Sequence, residues 1–271
     1  MMDRSLFSNA FLHRRVLVTG HTGFKGAWLC EWLLRLGAQV SGIGLDPITD
    51  PSLFKQLSLA DRIKHHVEDV RNQRAIVSLV ADISPDFVFH LAAQPIVRLS
   101  YQLPVETFAV NVMGTIHVLE AIRDHARDCV AVFVTTDKCY ENHEWLYAYR
   151  EIDALGGHDP YSSSKAAAEI AVSAYRRSFF TSQNGSAVRV ATARAGNVIG
   201  GGDWAVDRIV PDAMRSLSAG EPIRIRNKDS TRPWQHVLEP LGGYLWLAAS
   251  LAGLDRDKDS ALCDAFNFGP G

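Results

Sequence analysis

Short apolar runs rich in β-branched residues alternate with longer segments of helical periodicity through the first 196 residues of the chain. This alternation predicts βαβ units, and hence a parallel sheet covered by helices on both faces. Two of the runs, Phe87–Leu91 and Val130–Thr135, are almost wholly apolar, which is typical of strands buried on both sides. We therefore expect an α/β fold, a Rossmann-type doubly wound parallel sheet. The other predicted strands are Arg15–Thr19, Gln39–Leu45 and Ala187–Ala193, and the predicted helices are Phe24–Leu36, Asp69–Ala81, Val105–His125 and Tyr161–Phe180.

The pattern changes after about Asn197, where a Gly-rich turn is followed by polar loops and shorter elements. The periodicity there predicts helices over Ile209–Ser218 and Leu241–Leu251, and short strands over Ile223–Arg226 and Ala265–Phe268. We expect residues 1–196 to form one domain, and residues 197–271 to form a smaller region packed at the strand ends of the first.

Charge and cysteine content exclude several classes of protein. The chain has 28 Lys and Arg against 30 Asp and Glu, whereas nucleic-acid-binding and polybasic membrane-surface proteins carry a basic excess. Its cysteines, Cys30, Cys129, Cys139 and Cys263, are scattered, which excludes a disulfide framework or a cysteine zinc site and fits a reducing compartment. The N-terminus has no apolar leader, and the longest uncharged apolar stretch, Leu241–Leu254, is too short to span a bilayer. We expect a cytoplasmic protein without nucleic-acid, membrane or metal partners.

Three glycines stand between the first predicted strand and the first predicted helix, in the order Gly20-His-Thr-Gly23-Phe-Lys-Gly26. Glycine permits a turn with positive φ and lets a pyrophosphate approach the backbone, and the N-terminus of the following helix offers free N–H groups. The motif is one residue longer between its first two glycines than the standard dinucleotide fingerprint. Its place before an amphipathic helix favours a dinucleotide site over a plain strand-to-helix turn.

Asp46 ends the second predicted strand, about 20 residues after Gly26. A carboxylate at this position accepts hydrogen bonds from the adenosine ribose and repels a 2′-phosphate, which favours NAD over NADP. Lys25, a basic residue inside the glycine motif, could instead serve a phosphate, and Asp46 could simply be a turn residue before Pro47.

Two further strand ends carry residues suited to a bound dinucleotide. Asp69 and Val70 follow an apparent third strand and could meet the adenine edge, although Asp69 could equally be a helix N-cap. The segment Leu91-Ala92-Ala93-Gln94 follows the fourth strand, and its small residues permit the close approach of a ligand.

Tyr161-Ser-Ser-Ser-Lys165 opens a predicted helix, and residues four apart lie on one helical face. A lysine beside a tyrosine stabilises the phenolate, so we expect a pKa for Tyr161 that is lowered from about 10 toward neutrality. Such a tyrosine can accept the proton of a substrate hydroxyl while hydride leaves its carbon.

Together these motifs resemble the short-chain dehydrogenase/reductase superfamily, in the extended form that acts on nucleotide sugars. The resemblance also rests on Asn111-Val-Met-Gly-Thr115 and on the segment that begins Arg194-Ala-Gly-Asn197. It implies that residues 1–196 are an NAD-binding domain that carries the catalytic residues. The residues that it implies for NAD are Gly20, Gly23, Phe24, Lys25, Gly26, Asp46, Asp69, Val70, Leu91, Ala92, Ala93, Tyr161 and Lys165.

Thr135-Thr136-Asp137-Lys138, at the end of the fifth predicted strand, narrows the resemblance to the nucleotide-sugar 4,6-dehydratases. These enzymes carry Thr-Asp-Glu here, and this chain has Lys in place of Glu. The resemblance implies that Thr136 holds the 4-hydroxyl of the sugar and that Asp137 is the acid. It makes Lys138 the C5 base or the electrostatic partner of that base. To act as the base, Lys138 needs a lowered pKa, which burial or a neighbouring cation could provide. Without the resemblance, the same four residues would be an ordinary turn.

The substrate that the resemblance implies is the nucleotide sugar CDP-glucose, dehydrated for deoxysugar and O-antigen biosynthesis. Arg232 is expected to bind its diphosphate, because arginine offers bidentate hydrogen bonds. Related chains run further, so the substrate region is expected to be incomplete here, and a homo-oligomer, a dimer or tetramer, is expected. The open alternatives are an epimerase or reductase of the same superfamily and a cofactor-binding regulator without turnover. The other residues implied for the substrate are Gln94, Asn197, Arg208 and Asn267. Trp204 and Trp234 could stack on the base, although core packing is the expectation for these aromatic residues.

Overall fold

Seven parallel strands form the central sheet of the computed structural model, which describes residues 6–225, 228, 230–253 and 261–270. The strands are β1 (Arg15–Thr19), β2 (Gln39–Gly44), β3 (Lys64–Val67), β4 (Phe87–His90), β5 (Val130–Val134) and β6 (Arg189–Ala195), and a small second sheet pairs β7 (Val198–Ile199) with β8 (Gln235–His236). The seventh strand of the main sheet is β9 (Ala265–Phe268), and the order is β3-β2-β1-β4-β5-β6-β9. This arrangement confirms the predicted Rossmann-type sheet.

Helices cover both faces of the sheet because the central strands present apolar side chains on both sides. The helices are α1 (Phe24–Arg35), α2 (Leu53–Gln56), α3 (Gln73–Ile83), α4 (Val97–Gln102), α5 (Pro104–Phe108), α6 (Gly114–His125), α7 (Pro160–Ser178), α8 (Ile209–Ser218) and α9 (Leu238–Ala252). One apolar core joins α1 and α9 to the sheet through residues such as Leu29 and Leu245. The other core joins α3, α6 and α7 to the opposite face through Ile76, Leu119 and Val172.

The helix predicted over Val105–His125 is a continuous segment, Pro104–His125, in which a π-helical turn at Ala109–Met113 links α5 to α6. Among the described residues it is long and apolar enough to cross a membrane by length and composition. It packs against α3 and α7, and core helices of soluble proteins pass the same test. We therefore interpret it as a core helix.

The predicted second region returns to the main sheet at its end. Strand β9 pairs in parallel with β6, with Thr192 opposite Ala265, and α9 packs against β5 and β6. The sheet therefore extends past residue 196, while the division of the chain into two regions stays a prediction. The strand predicted over Ile223–Arg226 is wrong for residues 223–225, which form no strand, and Arg226 lies outside the described residues.

Candidate active site

A cleft of about 1690 Å³ opens at the carboxyl ends of the parallel strands. This is the edge at which doubly wound sheets bind their ligands, because a crevice opens there at the point where the strand order reverses, here between β1 and β4. Every residue predicted to bind NAD lines the cleft, and so do Thr136, Lys138, Asn197, Arg208 and Arg232. Asp137, Gln94 and Asn267 are not among its lining residues.

The glycine motif forms a tight turn whose backbone leaves no room for side chains. Gly20 has a φ of +71°, and a Cβ built on it would lie 2.7 Å from the backbone nitrogen of Ala92. A Cβ on Gly26 would lie 2.2 Å from the carbonyl oxygen of Gly20. Gly23 is the N-cap of α1 and supplies no side-chain cap, so the first N–H groups of the helix remain available to an anion. These residues fit the pyrophosphate of a dinucleotide.

The residues predicted for the adenosine half line the far side of the same turn. Asp46 is exposed at the end of β2, where its carboxylate can meet a ribose. Asp69 binds Arg71 at 2.6 Å, and this hydrogen bond holds the pKa of Asp69 below its ordinary value. Val70 is buried against Gly114, and its carbonyl accepts a hydrogen bond from His117 at 2.9 Å.

The ammonium of Lys25 lies 5.9 Å from the centre of the Tyr244 ring. The charges that act on its ammonium are Arg208, Asp137, Lys165 and Lys138, and neither Asp46 nor Asp69 is among them. Burial, reinforced by the three cations, lowers the pKa of Lys25 to about 8. The hypothesis that Lys25 serves a phosphate stays a prediction.

Tyr161 and Lys165 lie at the start of α7, as the sequence predicts, and both are buried. The expected lowering of the pKa of Tyr161 is wrong for this structure, because burial of the phenol raises that pKa to about 12. A hydrogen bond with Thr136 opposes the rise only in part. The ammonium of Lys165 donates to the carbonyl oxygen of Val134 at 3.2 Å, and burial lowers its pKa to about 8.

Thr136, Asp137 and Lys138 lie in the turn that follows β5. Strand β5 pairs with β4 on one side and with β6 on the other, so all three residues lie at the carboxyl end of a central strand. The Thr136 hydroxyl donates to Asp137 at 3.0 Å and accepts from the backbone N–H of Lys138 at 3.3 Å. Asp137 and Lys138 form an ion pair at 3.7 Å. The arrangement puts an acid and an amine within reach of the same cleft as the Tyr161 phenol.

Two residues predicted to bind substrate are engaged elsewhere. The side chain of Gln94 donates to Thr107 at 3.0 Å and accepts from the backbone N–H of Ile96 at 2.6 Å, so it stabilises its own loop. Asn267 accepts a hydrogen bond from Tyr140 at 2.7 Å and donates to the carbonyl of Tyr149 at 2.9 Å. In this structure both side chains support the scaffold rather than the cleft.

Two tryptophans predicted to be core residues line the cleft instead. Trp234 is 39% exposed. The indole N–H of Trp204 and the amide oxygen of Asn197 are buried and have no hydrogen-bond partner among the described residues. Buried polar atoms without partners are rare, so a donor and an acceptor are available to a ligand here. The sequence offered no periodic pattern that would separate Trp204 from a core residue.

The fold and this site define a short-chain dehydrogenase/reductase of the extended type. A family model described as GDP-mannose 4,6 dehydratase matches residues 17–250, and the chain belongs to this family. The chain is 47% identical to the CDP-glucose 4,6-dehydratase of Salmonella typhimurium, over 100% of its own length and 74% of that enzyme.

Solved structures share the fold and most of the chain's length. MoeE5 in complex with UDP-glucose and NAD is 26% identical, with a TM-score of 0.75 over 94% of this chain and 76% of that one. The UDP-glucose 4-epimerase of Thermotoga maritima has a TM-score of 0.77 over 94% of this chain and 76% of its own. Because the epimerase is only 21% identical, it supports the fold alone.

Proposed function

We propose that the chain is a hydro-lyase that converts CDP-glucose to CDP-4-dehydro-6-deoxyglucose, with NAD as a recycled cofactor. The observation that carries this proposal is the 47% identity over the whole chain to a CDP-glucose 4,6-dehydratase. The geometry adds an independent argument, since an acid and an amine lie at the end of β5 beside the buried Tyr161. An epimerase needs no such pair at this position.

The cleft would hold NAD between the glycine turn and Lys165, with Asp46 at the adenosine ribose. When bound, NAD supplies the oxidant for C4 of the sugar and the reductant for C6. Tyr161 accepts the proton of the 4-hydroxyl as a phenolate, a form that the positive charges of Lys165 and of bound NAD would favour, and Thr136 holds the 4-hydroxyl by its own hydroxyl. The resulting 4-ketone acidifies the proton on C5.

Elimination of water then requires two proton transfers at neighbouring carbons. A proton passed from Lys138 to Asp137 within their ion pair would leave a neutral amine and a carboxylic acid. Lys138 then removes the proton from C5, Asp137 protonates the departing 6-hydroxyl, and the ion pair is restored. Arg208 and Arg232 bind the diphosphate, since guanidinium groups offer bidentate hydrogen bonds to phosphate oxygens. Asn197 and Trp204 supply the unpaired acceptor and donor that orient the nucleotide.

The decisive experiment compares nucleotide sugars. The purified chain is incubated with CDP-glucose, dTDP-glucose or GDP-mannose in the presence of NAD, and the 4-keto product is measured by its absorbance in alkali. We expect product from CDP-glucose at a rate at least tenfold above the other two. Interconversion of sugar epimers without 4-keto product would favour the epimerase, and tight NAD binding without any turnover would favour a regulator.

We also propose that the enzyme is a cytoplasmic homo-oligomer. The thiols of Cys30, Cys129 and Cys139 are buried and free, which supports a reducing compartment. Apolar side chains of α5 and α7 face solvent, with Val105 83% and Ile170 59% exposed, and such surfaces commonly mark protein interfaces. Light scattering of the purified protein would give a dimer or tetramer, and a monomer at micromolar concentration would contradict this part.

A further inference from the structure

A buried carboxylate lies directly behind the catalytic residues of α7. Glu169 is 2% exposed and follows Lys165 by four residues, so Tyr161, Lys165 and Glu169 continue along one face of the helix. The hydroxyl of Thr135 donates to Glu169 in a short hydrogen bond, and the hydroxyl of Thr192 donates to it at 2.8 Å. The carboxylate therefore joins α7 to the ends of β5 and β6.

Arg194, which is 5% exposed, is the ionic partner of this carboxylate at 2.8 Å. The same guanidinium donates to the hydroxyl of Tyr140 at 2.8 Å and to the carbonyl of Glu151 at 3.1 Å. It also lies 5.1 Å from the centre of the Tyr140 ring. The ion pair thus ties the loop that follows Lys138 to α7 and to the sheet.

The first consequence concerns the position of Thr136. Thr135 is its immediate neighbour, and Thr135 is held both by Glu169 and by a backbone hydrogen bond from its N–H to the Ala193 carbonyl at 2.9 Å. Since Thr136 continues from this anchored residue into the turn, loosening Thr135 would let the Thr136 hydroxyl drift from the Tyr161 phenol.

The second consequence concerns the charge of Lys165. Four titratable groups face its ammonium from the elements packed around it: Glu169 on its own helix, Cys139 in the turn after β5, His90 at the end of β4, and Lys25 on α1. Burial favours the neutral amine, and the carboxylate of Glu169 is the strongest influence that opposes it. Cys139 acts in the same direction but more weakly.

We propose that Glu169 and Arg194 are positioning residues of the active site, whose buried ion pair anchors the strand end that carries Thr136 and places a carboxylate one helical turn from Lys165. Arg194 holds the carboxylate in place, and Glu169 transmits both effects. The measurements of turnover rest on the proposed function. The measurements of NAD affinity do not, because the charge of Lys165 also affects how tightly NAD binds.

The test measures two pH profiles for Glu169→Gln, which removes the charge and keeps the shape. Without the carboxylate, the ammonium of Lys165 loses its proton at lower pH. We therefore expect the alkaline limb of kcat/KM with CDP-glucose to move down by about one pH unit. The alkaline loss of NAD affinity, followed by calorimetry without sugar substrate, should move in the same direction and by a similar amount.

Three further variants separate the charge from mere structure. Glu169→Asp keeps the charge, so we expect a smaller shift in the same direction. Thr135→Val removes one donor and no charge, so kcat should fall about tenfold with the limb unmoved. Glu31→Gln is the matched control, because Glu31 is also a buried carboxylate that pairs with arginines, Arg35 and Arg62, both at 2.6 Å. It should leave both limbs unchanged.

The proposal is overturned if folded Glu169→Gln keeps both wild-type limbs. Should that variant fail to fold, Thr135→Val decides instead, because wild-type kcat in that variant would overturn the anchoring of Thr136. If the wild-type chain forms no 4-keto product from CDP-glucose, the proposed function fails, and the NAD-affinity profiles alone still decide the role of Glu169.

Discussion

The two halves of the cleft are built by different means. Around the glycine turn, the backbone itself shapes the site: the N–H of Gly20 donates to the Ile43 carbonyl at 2.8 Å, and the N–H of Leu91 donates to the Thr19 carbonyl at 3.1 Å. Around residues 197–234, side chains do this work, as in the pairing of Arg208 with Asp203 at 2.8 Å. Strands β7 and β8 are only two residues long.

This difference predicts different sensitivities. A half that is shaped by backbone tolerates little added volume, and a half that is shaped by exposed cations depends on individual charges. The apolar face of α8 sharpens the contrast, because Met214 and Leu217 are exposed there, whereas the helix on the glycine side, α1, buries Leu29 and Leu33 completely. The catalytic residues lie between the halves, so removing a single catalytic hydroxyl should lower turnover far more than the affinity of either half.

The largest effect is expected from Tyr161→Phe. The phenol is the proposed proton acceptor, and loss of a positioned general base lowers rates by about 10²–10⁴-fold. NAD affinity and the affinity for CDP-glucose should each fall by no more than about tenfold, because the variant removes one hydroxyl and a single hydrogen bond contributes about 0.5–1.5 kcal/mol. Calorimetry and the alkaline absorbance assay measure these separately.

The control for this variant is Tyr147→Phe, which alters an exposed phenol outside the cleft and should change neither quantity. A Tyr161→Phe enzyme with a tenth or more of wild-type activity would contradict the assignment of Tyr161 as the base.

Gly26→Ala tests the backbone-shaped half. The new Cβ would meet the Gly20 carbonyl oxygen at 2.2 Å, and backbone cannot move aside as a flexible side chain can. We expect NAD to bind about a hundredfold more weakly, a loss of about 3 kcal/mol, with the affinity for CDP-glucose less affected. Isothermal calorimetry measures both.

Gly201→Ala is the matched control, because Gly201 also lines the cleft but a Cβ there would meet nothing within 4 Å. Equal loss of NAD affinity in the two variants would show that the glycine turn is not shaped by close backbone contact.

Arg232→Met tests the half that depends on side chains. Arg232 is exposed, and one of its guanidinium nitrogens donates to the carbonyl of Thr231 at 2.6 Å. Charge-assisted hydrogen bonds contribute about 1.5–3 kcal/mol, so the KM for CDP-glucose should rise about thirtyfold with little change in NAD affinity. Arg74→Met, which removes an exposed arginine just after the N-terminus of α3, should leave the KM unchanged.

The sequence predicted the elements well where periodicity is local. Helix α8 and strands β1 and β9 have the predicted bounds, because the hydrophobic pattern that defines each element lies within the element itself. The place of β9 in the sheet could not be predicted in this way, since it depends on pairing with β6, whose residues are more than 60 positions earlier.

The site residues divide along the same line. Motif spacing predicted that Tyr161, Lys165 and the glycine turn belong to one site. It could not show that the side chains of Gln94 and Asn267 form hydrogen bonds with neighbouring segments. The pKa of Tyr161 depends on burial, which the helix pattern does not reveal. Glu169, by contrast, was within reach of sequence reasoning, because it repeats the four-residue spacing of Tyr161 and Lys165.

The smallest expected effect concerns the pH dependence of the backbone-shaped half. His21, inside the glycine turn, is fully buried, shares a hydrogen bond with His65 at 2.7 Å, and has a pKa lowered by burial to about 4. The unfolded chain therefore takes up a proton near pH 6.5 that the folded chain refuses, so stability falls as the pH drops from 6.5 toward 4. Between pH 7.5 and 5.5 the loss from His21 should be about 1 kcal/mol.

Urea unfolding of wild type and His21→Gln at the two pH values isolates this contribution, because the variant should lose about 1 kcal/mol less on acidification. His90, which is buried and has a pKa lowered to about 3, remains in both proteins and cancels in the difference. The side-chain-shaped half has no equivalent, since residues 197–234 contain no histidine. Acid should therefore weaken NAD binding before it weakens the substrate half, and an identical pH dependence of the two proteins would contradict the buried, neutral state of His21.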